Sequence, residues 1–311
     1  MDLSTRQLRS FVVLAEELHF TRAAARLYVA QQALSRQIRD LESRLGVKLL
    51  DRTTRRVALT PAGEAFLEAA RDALATLDAG VTRAGRIGRG EIGTLKLGFQ
   101  PGAALELTAP ILDGFRARHP DVAVELREFL WDDPSAGVVS GWADVSLTRP
   151  PFAGDGVAFL PLVREPVVAA MNRGHRLAGR SRIRIADLLE EPMVVGRSAD
   201  AVWTAHWTLA DHRGGRPAPI AMLTTSHTEE LDVVAAGVGV MVTPAAAGRF
   251  TPHPAIAYVP IEDHPPAVLS AAWRRDDRGP LVDAFLTVVA DVLDQQAGLV
   301  ALMEQGRAPA A

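Results

Sequence analysis

The chain has 311 residues, 34 Lys+Arg against 37 Asp+Glu for a net charge of −3, 48% hydrophobic residues and no cysteine. That length leaves room for a small module beside one or two larger domains, and that hydrophobic share fills a substantial core. Disulfides, thiolate metal sites and cysteine nucleophiles are excluded, the N-terminal MDLSTRQLRS lacks the apolar core of a signal peptide, and no run of about 18 apolar residues offers a membrane span.

In chain order, Leu8, Phe11, Val12, Ala15 and Leu18 predict a first helix with one apolar stripe. Residues 21–45, TRAAARLYVAQQALSRQIRDLESRL, then read as two helices joined by a tight turn. Thr21 is the expected N-cap of the first of these, Ala23, Ala24 and Ala25 permit close packing, and Val29 sits in the turn. On the following helix Leu34, Ile38, Leu41 and Leu45 form an apolar stripe, with Gln32, Ser35, Arg36 and Arg39 nearly opposite. Amide, hydroxyl and guanidinium groups on one face suit base edges and phosphates, so the pattern predicts a helix-turn-helix with a recognition helix in the major groove. A merely solvated polar face would look the same on one helix. The next segment separates the readings: LLDRTTRRVALT, Leu49 to Thr60, predicts a short hairpin with Arg52, Thr53, Thr54, Arg55 and Arg56 at or near its tip, a basic wing. Residues 1–60 hold 11 Lys+Arg against 6 Asp+Glu, and the remainder 23 against 31. The basic excess is therefore local, as attraction to phosphates by one module requires.

Thr60 and Pro61 open a long helix whose Leu67, Ala70, Leu74, Leu77, Val81 and Ala84 recur at alternating spacings of three and four. Such a seam pairs either with its own domain or with a second copy. A symmetric dimer is the expectation, because helix-turn-helix dimers read two half-sites. Gly88, Gly90 and Gly93 match G-x-G-x-x-G, but a helix precedes and a strand follows, the reverse of a dinucleotide fingerprint. They are read as a hinge.

From residue 94 strand-like and helix-like segments alternate. They run TLKLGF, a helix through Arg118, VAVELRE, DVSLT, EPVVAAM, a helix near ADLLEE, MVVG, a helix from Ala201, IAMLTT, a helix through Ala236, GVMVT, AVLSAAW and a closing helix from Leu281 to Leu293. The alternation predicts parallel or mixed α/β sheets, and its restart after residue 165 suggests two lobes. Ligands of such sheets bind beyond the carboxyl ends of the strands. Those ends are Gln100 to Gly102, Thr148 and Arg149, Arg197 and Ser198, and Thr225 to His227 with Ser226 between. Arg149 and Arg197 could fork onto a carboxylate or phosphate, or pair with a nearby acid. Trp203 and Trp207, four apart, could wall the site or simply fill a core.

The stretch LRSFVVLAEELHFTRAAARLYVAQQALSRQIRDLESRLGVKLLDRTTRRVALTPAGE closely resembles the LysR-type transcriptional regulators. GTLKLGF, FRARHPDV, GWADVSLTRP and VVAAGVGVMVTP extend the resemblance over most of the chain. It implies an α/β protein with a winged helix-turn-helix over 1–59, a dimerising linker helix and hinge over 60–90, and a two-lobed, periplasmic-binding-protein-like effector domain over 91–311. Lobe I would take 91–164 and 268–300, and lobe II 165–267. It further implies a homodimer, and beyond it a homotetramer, on an interrupted palindromic operator of double-stranded DNA. A small metabolite would tune it, an anionic one by the strand-end arginines Arg149 and Arg197, RNA polymerase would be a partner, and cytoplasm and nucleoid its compartment. By motif, Gln31, Gln32, Ser35 and Arg36 take the recognition-helix contact positions and Arg52 and Thr53 those of the wing, with Arg39, Arg55 and Arg56 beside them. Leu67, Leu74, Leu77 and Val81 would carry dimerisation. Gln100, Gly102, Thr148, Arg149, Arg197, Ser198, Trp203, Ser226 and His227 would meet the effector. No cofactor, metal or catalytic residue is called for.

Two positions depart from the family pattern. Ala30 replaces a common serine, removing an N-cap worth about 1 kcal/mol. Gln32 stands where proline or a small residue is common, adding an amide that can bond adenine in a bidentate way. In the first effector loop Gln100-Pro101-Gly102-Ala103 lacks the hydroxyl many relatives carry. Two other classes compete: a metabolite-binding module whose helix-turn-helix contacts protein, and an enzyme. Against the enzyme, the sequence has no H-E-x-x-H, G-x-S-x-G or phosphate loop, its 8 histidines are scattered, and Asp132-Asp133 is a lone acidic pair.

Overall fold

A computed structural model describes residues 3–52, 57–102 and 104–307 of the chain. The chain divides into two compact units, Met1–Ile87 and Gly88–Ala311.

The first unit contains α1 (Thr5–Glu17), α2 (Phe20–Arg26), α3 (Gln31–Leu45), the hairpin of β1 (Leu50–Arg52) and β2 (Val57–Leu59), and α4 (Pro61–Gly88). Ser4 and Gln7 close a capping box on α1. Phe11, Leu14, Leu34, Ile38, Leu41 and Leu49 are fully withdrawn from solvent and form the core. The α1 stripe differs from the expected one: Leu14 fills it, whereas Leu18 lies in the left-handed region at the C-cap and is exposed. Thr21 is not the cap of α2. His19 occupies that place, its Nδ1 accepting from Arg22 N at 3.4 Å, and Thr21 lies inside the helix with its hydroxyl donating to Gln31 Oε1 at 3.2 Å. Thr60 does cap α4, accepting from Gly63 N at 2.9 Å, and its own hydroxyl donates to the Lys48 carbonyl.

The second unit opens with β3 (Gly93–Phe99), α5 (Thr108–Arg118), β4 (Val122–Glu128), β5 (Val145–Thr148) and β6 (Val157–Glu165). It continues through β7 (Val167–Asn172), β8 (Met193–Gly196), α6 (Ala201–Trp207), β9 (Ile220–Thr224), α7 (His227–Ala235), β10 (Met241–Pro244), α8 (Ala246–Phe250) and β11 (Ile256–Pro260). It returns through β12 (Ala267–Arg274) and closes with α9 (Pro280–Gln295) and α10 (Ala297–Glu304). One sheet has the order β4-β3-β5-β12-β6. Its β3 pairs run parallel and its β12 pairs antiparallel. The other lobe holds an antiparallel β10-β7-β11 sheet beside the parallel β8-β9 pair, joined through a bridge between Met193 and Val240. The chain passes from the first sheet to the second between β6 and β7 and returns between β11 and β12.

Four elements escaped the sequence pattern, and one was overread. Strand β6 contains Pro161, which cannot donate to a ladder. The strand lies at the sheet edge, and its register shifts opposite Leu269 and Ser270, where the proline is accommodated. Helix α8, strand β11 and helix α10 were likewise unread. The segment ADLLEE makes only a 3-10 turn, Ile185–Leu188: Asp187 folds back to accept from Arg184 N, and Pro192 stops any continuation.

Helix α4 docks on the first unit at Gly63, where a Cβ would lie 2.0 Å from the Leu49 carbonyl oxygen. Gly63→Ala must push the helix off that carbonyl. The expected cost is about 1–3 kcal/mol, as for an overpacked core, read as a lower melting temperature of the isolated 1–87 unit or the whole chain.

Candidate nucleic-acid interface and ligand pocket

Helix α3 presents Gln31, Gln32, Arg36 and Arg39 to solvent and Ser35 half-buried. Arg36 and Gln32 form no hydrogen bond or ion pair among the described residues, so both side chains are available to a partner. Arg39 folds along the helix, Nε donating to the Ser35 carbonyl at 3.2 Å, and Gln31 holds Thr21. Ala30 begins the helix with no side-chain cap. Arg52 is already engaged. Its Nη2 donates to Glu42 Oε2 at 2.6 Å and its guanidinium lies 5.3 Å from the Phe20 ring centre. Glu42 also accepts from the Leu49 and Leu50 N–H groups, so this pair fixes the hairpin against α3 and α2. Thr53, Thr54, Arg55 and Arg56 lie outside the described residues.

Along α4 the seam changes character. Phe66 and Leu67 pack on their own helix-turn-helix core and Ala70 is buried. Arg71 pairs with Glu16 and Arg9 with Asp78. Farther along, Leu77, Val81 and Ile87 are 43%, 65% and 55% exposed, and Leu74 is half-buried. Leu67 therefore belongs to the intramolecular part of the seam, and the exposed apolar face begins after it.

In the second unit a cavity of about 120 Å³ lies against the ends of β3, β5, β8 and β10. Of the residues expected at an effector, Gln100, Gly102, Arg149, Trp203 and His227 line it. Thr148, Arg197, Ser198 and Ser226 do not. Thr148 is buried behind the cavity and donates to the Pro134 carbonyl at 2.6 Å. Arg197 is exposed. Ser198 accepts from Asp200 N, and Ser226 caps α7. Arg149 lies in the cavity wall and is also paired with an acid, because Nη2 donates to the fully buried Glu165 at 3.1 Å. Its Nε has no acceptor, and neither has Gln100 Nε2. The Gln100 amide is oriented by Arg149 N, a donor that only Oε1 can satisfy, at 3.3 Å.

The opposite wall is aromatic and apolar. Trp131 and Trp203 stack with centroids 5.6 Å apart, Trp207 tilts against Trp203 at 6.3 Å, and His227 meets Trp131 edge-on. Gly196 makes the stack possible, since a Cβ there would lie 2.3 Å from the Trp131 ring. Glu230, 5% exposed, accepts from or donates to His227 Nδ1 across 3.3 Å, and His227 Nε2 reaches Thr251 Oγ1 at 3.0 Å. Burial raises the Glu230 carboxyl above the usual range despite the opposing pull of His227. His206, behind Trp207, is held down to about 4 by burial and by His264. The sequence reading missed Trp131, Glu230 and the β10–α8 wall. His227 and Glu230 at i, i+3 were legible as a pair, whereas Trp131 stands in a loop whose path no local pattern reveals.

The Asp132-Asp133 pair has a local role, Asp133 accepting from Ser135 and Gly137 N–H groups. Among the described residues no single helix is long and apolar enough to cross a membrane.

Two family models match the chain: "Bacterial regulatory helix-turn-helix protein, lysR family" over residues 5–64 and "LysR substrate binding domain" over residues 88–294. Among curated relatives, the chain is similar to the transcriptional regulator AlsR of Bacillus subtilis, 33% identical over 92% of this chain and 95% of that one. It is also similar to the Hca operon transcriptional activator HcaR of Escherichia coli, 34% identical over 94% and 98%. Among solved structures, full-length CbnR in complex with its target DNA superposes with a TM-score of 0.63 at 26% identity, over 93% of this chain and 99% of that one. Oxidized OxyR of Corynebacterium glutamicum shares the fold with a TM-score of 0.74 over 100% and 98%, at 24% identity.

A raised Glu230 pKa stabilises the folded chain below the unfolded carboxylate value of about 4.5, and that contribution is lost as pH rises. Glu230→Gln keeps a neutral group at every pH. The melting temperature of the wild type should therefore fall more steeply between pH 5 and pH 8 than that of the variant. Parallel profiles would mean that Glu230 is ionised throughout.

Proposed function

We propose, from the premise that the chain belongs to the LysR family of transcriptional regulators, that an anionic metabolite held in the cavity between the lobes rearranges an oligomer seated on an interrupted palindromic operator. The family supplies the coarse activity: DNA binding by the helix-turn-helix and response to a small molecule by the second unit. The observation that carries the finer reading is the pair of buried donors without acceptors, Gln100 Nε2 and Arg149 Nε, on two residues that line the cavity at the strand ends, across from His227 and Glu230. An unmet buried donor costs about 1–3 kcal/mol, and an acidic ligand relieves that cost. The reading assigns no catalysis to the chain. It assigns cytoplasm and nucleoid as compartment, RNA polymerase as a partner, and 1–59, 60–90 and 91–311 as DNA-binding, linker and effector segments.

At the DNA, Gln31, Gln32, Ser35 and Arg36 are assigned to the groove, and Arg39 and the wing residues Thr53, Arg55 and Arg56 to the backbone. Arg52 is assigned to holding the wing. Arg36→Ala should lower operator affinity at least tenfold with an unchanged circular dichroism spectrum, measured by anisotropy of a labelled operator across a salt series. The wild-type logarithmic slope against salt must be clearly negative, since each neutralised phosphate contributes about −0.9. A flat slope removes the phosphate contacts and favours the protein-contact alternative.

The exposed part of the α4 seam, Leu74, Leu77 and Val81, is assigned to the dimer. Leu74→Asp with Leu77→Asp should halve the sedimenting mass or reduce it further, and should restrict binding to half-sites. A double variant of wild-type mass that still binds the full site would exclude the seam as the interface.

The effector reading is tested by thermal shift of the full chain against a pool of small organic acids. Stabilisation is expected in the wild type and not in Gly196→Ala, whose methyl group drives Trp131 into the cavity.

A further inference from the structure

Most histidine rings of this chain are engaged within it. His19 accepts from Arg22 N, His175 meets Glu191, and His227 bridges Glu230 and Thr251. One pair stands apart. His206 on α6 and His264, in the segment where the chain returns from β11 to β12, meet edge-on with ring centres 5.5 Å apart and planes at 79°. The two come from distant parts of the sequence, so no spacing motif announces them.

Tautomer, access and separation of this pair all suit a ligand set. His264 Nδ1 lies 2.6 Å from the Pro265 carbonyl oxygen. A carbonyl only accepts, so Nδ1 carries the proton and Nε2 keeps the lone pair. Metal-bound histidines are ordinarily fixed in this way, donating the other N–H to a backbone carbonyl or a carboxylate. Both residues are half-buried, and no hydrogen bond among the described residues occupies His264 Nε2 or either ring nitrogen of His206. None of these nitrogens belongs to the fully buried atoms left without a partner, so solvent reaches them. Burial lowers both imidazoles below the usual histidine range, His206 to about 4, and a neutral ring has no proton to lose when an ion arrives. A zinc–imidazole bond is about 2.0–2.1 Å, which sets two rings on one tetrahedral ion at centre distances of roughly 5 Å. A small side-chain rotation closes the difference from the observed separation.

The surroundings favour a cation. The 3-10 turn Ala210–His212 brings Asp211 near His206 and His212 near His264, and Asp263 precedes His264 while accepting from Ile185 N. No three metal-ligating side chains converge among the described residues, so the protein supplies two ligands and water the rest.

We propose that His206 and His264 form a binding site for a borderline divalent metal ion, zinc or nickel, which clips α6 to the segment joining the two lobes. Imidazole nitrogen suits these ions, whereas magnesium and calcium take oxygen ligands. With two protein ligands the ion exchanges with the medium. The site is distinct from the cavity, but it lies directly behind the cavity wall: the His206 ring centre is 4.9 Å from that of Trp207.

That neighbour supplies the readout, because a paramagnetic ion at His206 quenches an adjacent indole. The untagged full chain is titrated with nickel chloride while tryptophan emission is followed, and with zinc chloride by isothermal titration calorimetry. Nickel should quench saturably, diamagnetic zinc should bind and restore the emission by displacing it, and magnesium chloride should do neither. His206→Gln and His264→Gln should each weaken both ions at least tenfold, with circular dichroism melting in the absence of metal as the folding control. If one variant melts early, the other decides, since each removes one ligand. No saturable quench and no zinc binding at millimolar concentration overturns the proposal. So does an affinity for either ion that both folded variants retain, which would leave the pair as an edge-on packing contact.

Discussion

Glu165 is the group on which the second unit depends. It is fully buried at the end of β6, where the chain crosses to the other lobe. A lone buried carboxylate costs several kcal/mol, so it persists only when paired. Here Arg149 donates to Oε2, and Arg249 of α8 lies 3.6 Å from Oε1 while also holding Glu106. Two cations and two anions thus form one buried chain, Arg149–Glu165–Arg249–Glu106, whose members come from both lobes. Removing Glu165 leaves Arg149 without its acid, and removing Arg249 leaves Glu106 without its base. The network is incompletely satisfied: Arg149 Nε, Glu165 Oε1 and Arg249 Nη1 lack hydrogen bonds. Arg149 thus belongs both to the cavity wall and to the ion-pair chain that spans the two lobes.

The first unit follows the same logic with one carboxylate fewer. Glu42 joins the last turns of α3 to two backbone N–H groups of β1 and to Arg52. It settles which basic side chains are structural and which remain free to meet a polyanion. Charge separation along the chain then has a spatial meaning: the basic excess of residues 1–60 stands on the unit that carries α3 and the wing, and the acidic excess on the unit that encloses the ligand.

Much of this was legible in sequence, for identifiable reasons. The apolar stripe Leu34, Ile38 and Leu41 repeats at the helical period, and all three are fully buried. Short strands ending in polar residues announced Gln100 and Arg149. What the sequence withheld depends on distant partners. Thr21 had the right chemistry for a cap, but His19 took that place and Thr21 bonded Gln31. Leu67 fitted the seam but found its own core first. Arg197 looked like Arg149 by strand-end logic, yet it points to solvent. Trp131 reaches the cavity only because Gly196, over sixty residues later, leaves room for its ring.

The tryptophans carry a spectroscopic consequence. All five lie in the second unit, and three of them, Trp131, Trp203 and Trp207, line a single cavity. The helix-turn-helix unit has none. Tryptophan emission from this protein, excited beyond the absorption of Tyr28, is thus silent about the nucleic-acid surface and concentrated around the cavity. Occupancy of the two surfaces can be followed independently in one sample, the ligand by the protein's own fluorescence and the DNA by a label it carries itself.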